Sequence, residues 1–181
     1  SINSEHYYEF FSLRKPYKEK FITYCGNWSN NKDGVPNLLK AFQKFNLINS
    51  EFQLNLIGGT DNIFEHNFII SLIDELNISD SVNIIGVIPH MEVSFYLRKS
   101  SLLVLARPNN IQAKGGFPSK VVEYLASGVP VLITRVGELD QFFQDSYHLF
   151  FANTDDDLDF STKLLKIINN YDFALKVAEN G

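Results

Sequence analysis

Lys114-Gly115-Gly116-Phe117-Pro118-Ser119-Lys120-Val121-Val122-Glu123-Tyr124-Leu125-Ala126-Ser127-Gly128-Val129-Pro130-Val131-Leu132-Ile133-Thr134 is the stretch on which the reading of this chain turns. Two glycines and a proline open a helix, Gly128 closes it, and an apolar strand follows at once. Gly115 and Gly116 lack a Cβ, which frees the backbone to take positive φ and approach a ligand, and Pro118 is preorganised for a first helical turn. Unpaired N–H groups at such a helix start suit a phosphate or a sugar hydroxyl. At helical spacing Val121, Val122, Leu125 and Ala126 form the buried face, while Ser119, Glu123 and Ser127, each four apart, line another. Helical side chains lean toward the N-terminus, so Glu123 points back at the glycine loop, where a carboxylate accepts hydrogen bonds from a ribose diol. On spacing alone a second reading stands beside this one: a glycine-hinged loop, an ordinary helix and a surface glutamate.

Outward from this stretch, apolar runs and helical stripes alternate. Strands are predicted at Phe21 to Cys25, Phe52 to Ile57, Val82 to Ile85, Ser101 to Ala106, after Gly128, and at Tyr147 to Phe151. Between them fall a helix with Val35, Leu38, Phe42 and Phe45 on one stripe and Asp33 as its cap, a helix from Phe68 to Leu76, and one from Pro89 to about Arg98. A last helix starts near Asp155 and carries Leu158, Leu164, Leu165, Ile167 and Ile168. Six short apolar strands alternating with helices specify a doubly wound, Rossmann-like parallel sheet with helices on both faces. Ligands of such sheets gather at the carboxyl ends of the strands, near the switch in strand order. Gly26 to Gly34, Gly58 to Asn62, Gly86 to Pro89, Arg107 to Gly116 and Thr134 to Glu138 all follow strands and so share one rim. Residues 1–20 lack a clear period and read as a linker or appendage to a domain over 21–181.

At 181 residues the chain is long enough for one well-buried α/β domain and too short for two ordinary ones. Its apolar share of 45% excludes disorder as a whole-chain description. A net charge of −5 with no basic stripe argues against a nucleic-acid partner. No apolar run reaches the roughly 20 residues that a membrane-spanning helix needs, and the first residues do not read as a signal peptide. The single cysteine, Cys25, precludes an internal disulfide and suits a reducing, cytoplasmic compartment; at the end of an apolar strand it reads as a buried structural thiol. His6, His66, His90 and His148 fall in different elements without ligand spacing, so no metal is expected.

The Lys114–Thr134 stretch resembles the signature of family-4 glycosyltransferases, retaining enzymes of the GT-B fold, in which a Gly-Phe loop leads into a helix whose Glu binds the donor's ribose. The resemblance assigns Gly116, Phe117, Pro118 and Ser119 to the donor site and gives Glu123 the ribose role. Another Glu often stands eight positions earlier in that family and contacts the transferred sugar; Gly115 occupies that position here. The first loop resembles the family's diphosphate grip. Lys32-Asp33-Gly34 matches its Lys-Gly element, Gly26 is retained, and Asn27 replaces the arginine of its Gly-Arg pair. Lys32 is thereby implied as a phosphate ligand, where without the resemblance it reads as a solvated lysine in a polar turn. Gly86-Val87-Ile88-Pro89 resembles the loop beside the base; Val87 and Ile88 as plain core residues fit equally well. Arg107, directly after the fourth strand, is read as the rim's arginine, either touching diphosphate or sugar or making a surface ion pair.

Asp155-Asp156-Asp157 superficially resembles the Asp-x-Asp metal motif of the other large glycosyltransferase fold. Acidic residues at a helix start are also favoured by capping and the helix dipole, and that is the reading preferred. Two other nucleotide folds are disfavoured. A receiver domain needs acidic residues at strand ends where Cys25-Gly26-Asn27 and Ile85-Gly86 stand, and neither a Gly-x-Gly-x-x-Gly after a strand nor P-loop spacing is present.

The resemblance therefore implies the donor-binding half of an enzyme that transfers a hexosyl group from a nucleoside-diphosphate sugar to an acceptor, without metal or other cofactor. A domain N-terminal to it would carry the acceptor glycan or lipid and any contact with the inner face of a membrane, and this piece alone would bind donor weakly and transfer nothing. A free-standing or degenerate Rossmann-like interaction module remains the alternative.

Overall fold

A computed structural model describes residues 19–28, 32–115 and 119–181. Most of the expected linker and the loop residues Gly116, Phe117 and Pro118 lie outside the described residues. In chain order the elements are β1 (Phe21–Asn27), α1 (Val35–Asn46), β2 (Gln53–Gly59), α2 (Ile63–Glu75), β3 (Val82–Gly86), α3 (His90–Lys99), β4 (Leu102–Leu105) and α4 (Ile111–Lys114). They continue with α5 (Ser119–Ala126), β5 (Val131–Thr134), α6 (Leu139–Phe142), β6 (Phe150–Ala152), α7 (Asp157–Asn169) and α8 (Tyr171–Asn180).

The six strands form one all-parallel sheet in the order β3-β2-β1-β4-β5-β6. Strands β4, β5 and β6 are buried at every position, as expected of parallel strands covered on both faces. Helix α1 packs against α2 and α7, and α3 packs on β1. The core joins Ile22, Leu38, Phe42, Leu56, Leu103, Ile133, Phe151 and Leu164.

The first two strands run two residues beyond their expected ends, so glycines read as loop residues belong to the sheet. Gly26 pairs with Gly58 and Asn27 with Gly59. A Cβ on Gly58, which has φ +104°, would sit 2.0 Å from the Gly26 carbonyl oxygen, so nothing larger fits this approach. Helix α2 starts earlier than expected, at Ile63, because the Asn62 side chain accepts from the N–H groups of Phe64 and Glu65. The sixth strand is shorter and later than expected; its predicted start, Tyr147, lies in a turn held by Gln144. Helix α8 follows α7 after Asn170 and closes back on the sheet through Tyr171, whose hydroxyl donates to the Ser101 carbonyl at 2.8 Å.

Three local expectations are corrected. Asp33 does not cap α1; the cap residue is Gly34, in the left-handed region at φ 70°, and the Asp33 carboxylate is turned into the protein. On α5 the buried face is Val121, Tyr124 and Leu125, whereas Val122 is exposed. Gly115 ends α4 at φ −74°, so it makes no use of positive φ. Gly128, at φ +71°, does close α5 as its position suggested.

Candidate functional site

Strand order reverses between β1 and β4, and the ladder between them is short. Only Ile22 with Leu102 and Thr23 with Leu103 are paired, although β1 continues to Asn27. Where the pairing stops, Tyr124 of α5 takes over. Its hydroxyl accepts from the Cys25 N–H at 2.8 Å and donates to the Cys25 carbonyl at 3.3 Å. Burial pushes this phenol well above its usual range, with the Cys25 thiol adding, so the hydroxyl stays protonated and able to donate. The end of β1 is thus tied to the helix that carries Glu123, at the switch point where doubly wound sheets bind their ligands.

A charge cluster sits beside this strand end. Asp33 is buried and accepts from the Tyr24 hydroxyl at 3.0 Å and from Lys120 Nζ at 2.5 Å. The Tyr24 hydroxyl is also 2.5 Å from the Asn27 carbonyl, which ties the end of β1 to the loop behind it. Burial, then Asp33, raise the Tyr24 phenol well above its ordinary value. Gly26 leaves room for Lys120: a Cβ there would come within 2.2 Å of its Cε and 2.7 Å of its Nζ. Arg107 is buried beneath the loop, its Nε donating to the Lys32 carbonyl at 3.2 Å. Burial lowers the Arg107 pKa, and Asp33 and Tyr24 oppose that shift. Arg107 therefore braces the loop that carries Lys32 instead of presenting a surface ion pair, and Lys32 itself is exposed.

Glu123 is exposed on α5 and close enough to β1 to act on Cys25. Burial, then the Glu123 carboxylate, push the Cys25 thiol up to about 11, against a lowering by Lys120. This thiol is neutral at ordinary pH, in keeping with a structural cysteine. Gly26 and Asn27 end β1, Lys32 lies in the loop that follows, Glu123 acts on β1 at Cys25, and Ser119 is exposed at the start of α5. Val87 is 85% exposed, so it is no core residue; it lies against Gly59 at the end of β2, while Ile88 is half-buried.

Farther along the edge, the Thr134 hydroxyl donates to the Arg107 carbonyl at 2.7 Å and fixes the β4 and β5 exits relative to each other. A small cleft there is lined by Asn37, Ala106, Thr134, Asn153 and the Asp155–Asp157 run. Asp156 caps α7 by accepting from the Asp159 N–H at 2.9 Å, and Asp155 accepts from the Asn109 N–H at 3.0 Å. Among the described residues no three His, Cys, Asp or Glu side chains come together as a metal site, and no helix is long and apolar enough to cross a membrane. Arg135, directly after β5, is a second arginine on this rim that the sequence reading passed over. It pairs with Asp140 at 2.7 Å and Asp145 at 3.6 Å and lies over the Phe151 ring. Lys120, Tyr24, Asp33 and Tyr124 were missed as site residues as well. The only signal for Lys120 in the sequence was its place one turn before Glu123.

The family model of glycosyl transferases group 1 matches residues 8–181. An uncharacterized glycosyltransferase of Methanocaldococcus jannaschii is 36% identical over 90 residues, which is 50% of this chain and 24% of that relative. The C-terminal domain of LpcC, a glycosyl transferase group 1 family protein from Francisella tularensis, superposes with a TM-score of 0.75 at 16% identity, over 99% of this chain and 89% of that one. HepE from Anabaena, solved in complex with UDP-glucose, gives a TM-score of 0.78 at 13% identity, over 99% of this chain and 47% of that one. The chain thus spans about a quarter of the curated relative and about half of the HepE chain. With nearly its whole length inside the family model, this chain belongs to the glycosyl transferases group 1 family and has the fold of a GT-B C-terminal domain.

Proposed function

We propose that this chain is the donor-binding domain of a retaining, family-4 glycosyltransferase that takes a hexosyl group from a nucleoside-diphosphate sugar. The observation that carries the reading is the Lys120–Asp33 ion pair over Gly26 at the β1/β4 switch point, where doubly wound sheets bind nucleotides, made from the helix that also bears Glu123. In this reading Glu123 accepts from the ribose diol, Lys32 meets the diphosphate, and Val87 flanks the base. Gly116, Phe117, Pro118 and Ser119 supply the loop and helix start against the phosphates. Cationic side chains, not a metal ion, balance the leaving diphosphate. A domain N-terminal to this one carries the acceptor, a glycan or lipid, in polysaccharide or cell-surface glycan synthesis on the cytoplasmic side of a membrane. HepE's complex with UDP-glucose supports a nucleotide sugar as the ligand class.

Calorimetry against UDP, GDP and ADP, with and without EDTA, tests this. Binding of one of them with an affinity indifferent to EDTA is expected. No heat with any of the three at millimolar ligand would refute the donor site. Gly115, at the position where resembling enzymes place the sugar-contacting Glu, favours a second reading in which donor is bound but not turned over. Assay of the whole protein for transfer, with the product's anomeric configuration read by NMR, decides between them.

A further inference from the structure

The buried Asp33 carboxylate has two cations about it and is a single negative charge. Lys120 Nζ lies at 2.5 Å, and the Arg107 guanidinium is near enough for Asp33 to oppose its loss of charge on burial. Counted with Glu123, which also acts on this end of β1, the groups here are two cations and two anions, and of the two cations Lys120 is the one that reaches solvent. The two cations are differently disposed. Arg107 is 3% exposed and spends its Nε on the Lys32 carbonyl, whereas the Lys120 side chain is 25% exposed and stands over Gly26, a position whose missing Cβ leaves it room. Asp33 takes one of the three ammonium donors, leaving others for oxygens outside the protein. Next to it stands Asn27, which brings no charge of its own to this end of β1.

We propose that Lys120 is a phosphate ligand of the donor site and that Asp33 is the residue that positions its ammonium over Gly26. The inference rests on the nucleoside-diphosphate reading above and adds to it the cation nearest the end of β1. A lysine is a flexible point charge; the bond to a buried carboxylate fixes its rotamer before ligand arrives, which is the preorganisation an anion site needs. Incoming phosphate oxygens join Asp33 around the ammonium, on its solvent-facing side.

The test compares each nucleoside diphosphate that binds with its parent nucleoside, by calorimetry at two salt concentrations. Lys120→Met is expected to weaken the diphosphate at least tenfold, leave the nucleoside unchanged and flatten the salt dependence, while Lys120→Arg retains most of the affinity. Because Lys120→Met leaves Asp33 buried without its partner, the double variant Asp33→Asn with Lys120→Met is measured beside it. Recovery of the melting temperature without recovery of diphosphate affinity supports a ligand role. Equal losses for nucleoside and diphosphate, or diphosphate affinity restored in the double variant, would reduce Lys120 to a structural partner of Asp33 and overturn the proposal. Wild-type protein that binds nucleoside and diphosphate equally well also overturns it while leaving a nucleotide site in place. Wild-type protein that binds neither overturns the donor reading and this one with it.

Discussion

The Tyr124 hydroxyl satisfies both backbone groups of Cys25, accepting from its N–H at 2.8 Å and donating to its carbonyl at 3.3 Å. One phenol thus replaces a rung of the sheet at the point where β1 and β4 part, and it does so from the helix that bears Glu123 and Lys120. Tyr124→Phe keeps the ring's packing and strands two half-buried backbone groups of Cys25. It is expected to destabilise the fold by about 1–3 kcal/mol in urea denaturation. It should also weaken nucleotide binding, because the β1 end loses its fixed distance from α5.

Glu123→Ala and Lys32→Ala test the two ligand contacts that the motif pointed to. Both side chains are exposed, so the melting temperature should hardly move. Loss of hydrogen bonds to a charged group costs about 1.5–3 kcal/mol, so nucleoside-diphosphate affinity is expected to fall roughly ten- to hundredfold for each. Calorimetry separates the two: Glu123→Ala should weaken nucleoside and diphosphate alike, and Lys32→Ala the diphosphate alone.

The Cys25 thiol supplies a pH dependence whose sign follows from its proton count. Burial and Glu123 raise it from 9.0 to about 11, so between these values the folded chain keeps a proton that the unfolded chain has released. The stabilising contribution is whole below about pH 9 and is lost as pH rises through 11. The denaturant midpoint should therefore fall over that window, and less steeply in Cys25→Ala. At pH 8 iodoacetamide should alkylate the folded protein about tenfold or more slowly than the unfolded chain; equal rates would show the thiol to be unperturbed.

The fold was legible because buried parallel strands read as unbroken apolar runs, and Leu102–Leu105 and Val131–Thr134 are such runs. The glycine-bounded loops followed from them, and with them the rim. What local pattern could not supply was the inward side of α5. A tyrosine reads as a half-surface residue, and Tyr124 is fully buried only because a strand end offers its hydroxyl both a donor and an acceptor. Asp33 misled for a similar reason. Two residues before a helical stripe it has the look of a cap, yet Gly34 takes the left-handed turn and frees the carboxylate for Lys120, 87 residues away. Contacts that span the switch point leave no periodic trace, so the charge cluster needed the structure.

Gly26 and Gly34 border this cluster and should respond to alanine in opposite ways. Gly34 has φ +70° and an added Cβ would lie 2.0 Å from the Ala106 carbonyl oxygen, a backbone atom that cannot step aside. Gly34→Ala is therefore expected to lose more than about 1 kcal/mol of stability, with a clear drop in melting temperature. At Gly26 the nearest atoms are the Lys120 Cε at 2.2 Å and its Nζ at 2.7 Å, the far end of a flexible side chain, and the hydroxyl of the buried Tyr24 at 2.7 Å. The lysine can swing away and only the Tyr24 hydroxyl must give, whereas Gly34 meets backbone at positive φ, so Gly26→Ala should cost less stability than Gly34→Ala and still weaken nucleoside-diphosphate binding by moving the ammonium off its place. Thermal melts and calorimetry on the two variants check the contrast: a Gly26→Ala protein that binds diphosphate as tightly as wild type would mean that the position of Lys120 does not matter to the ligand.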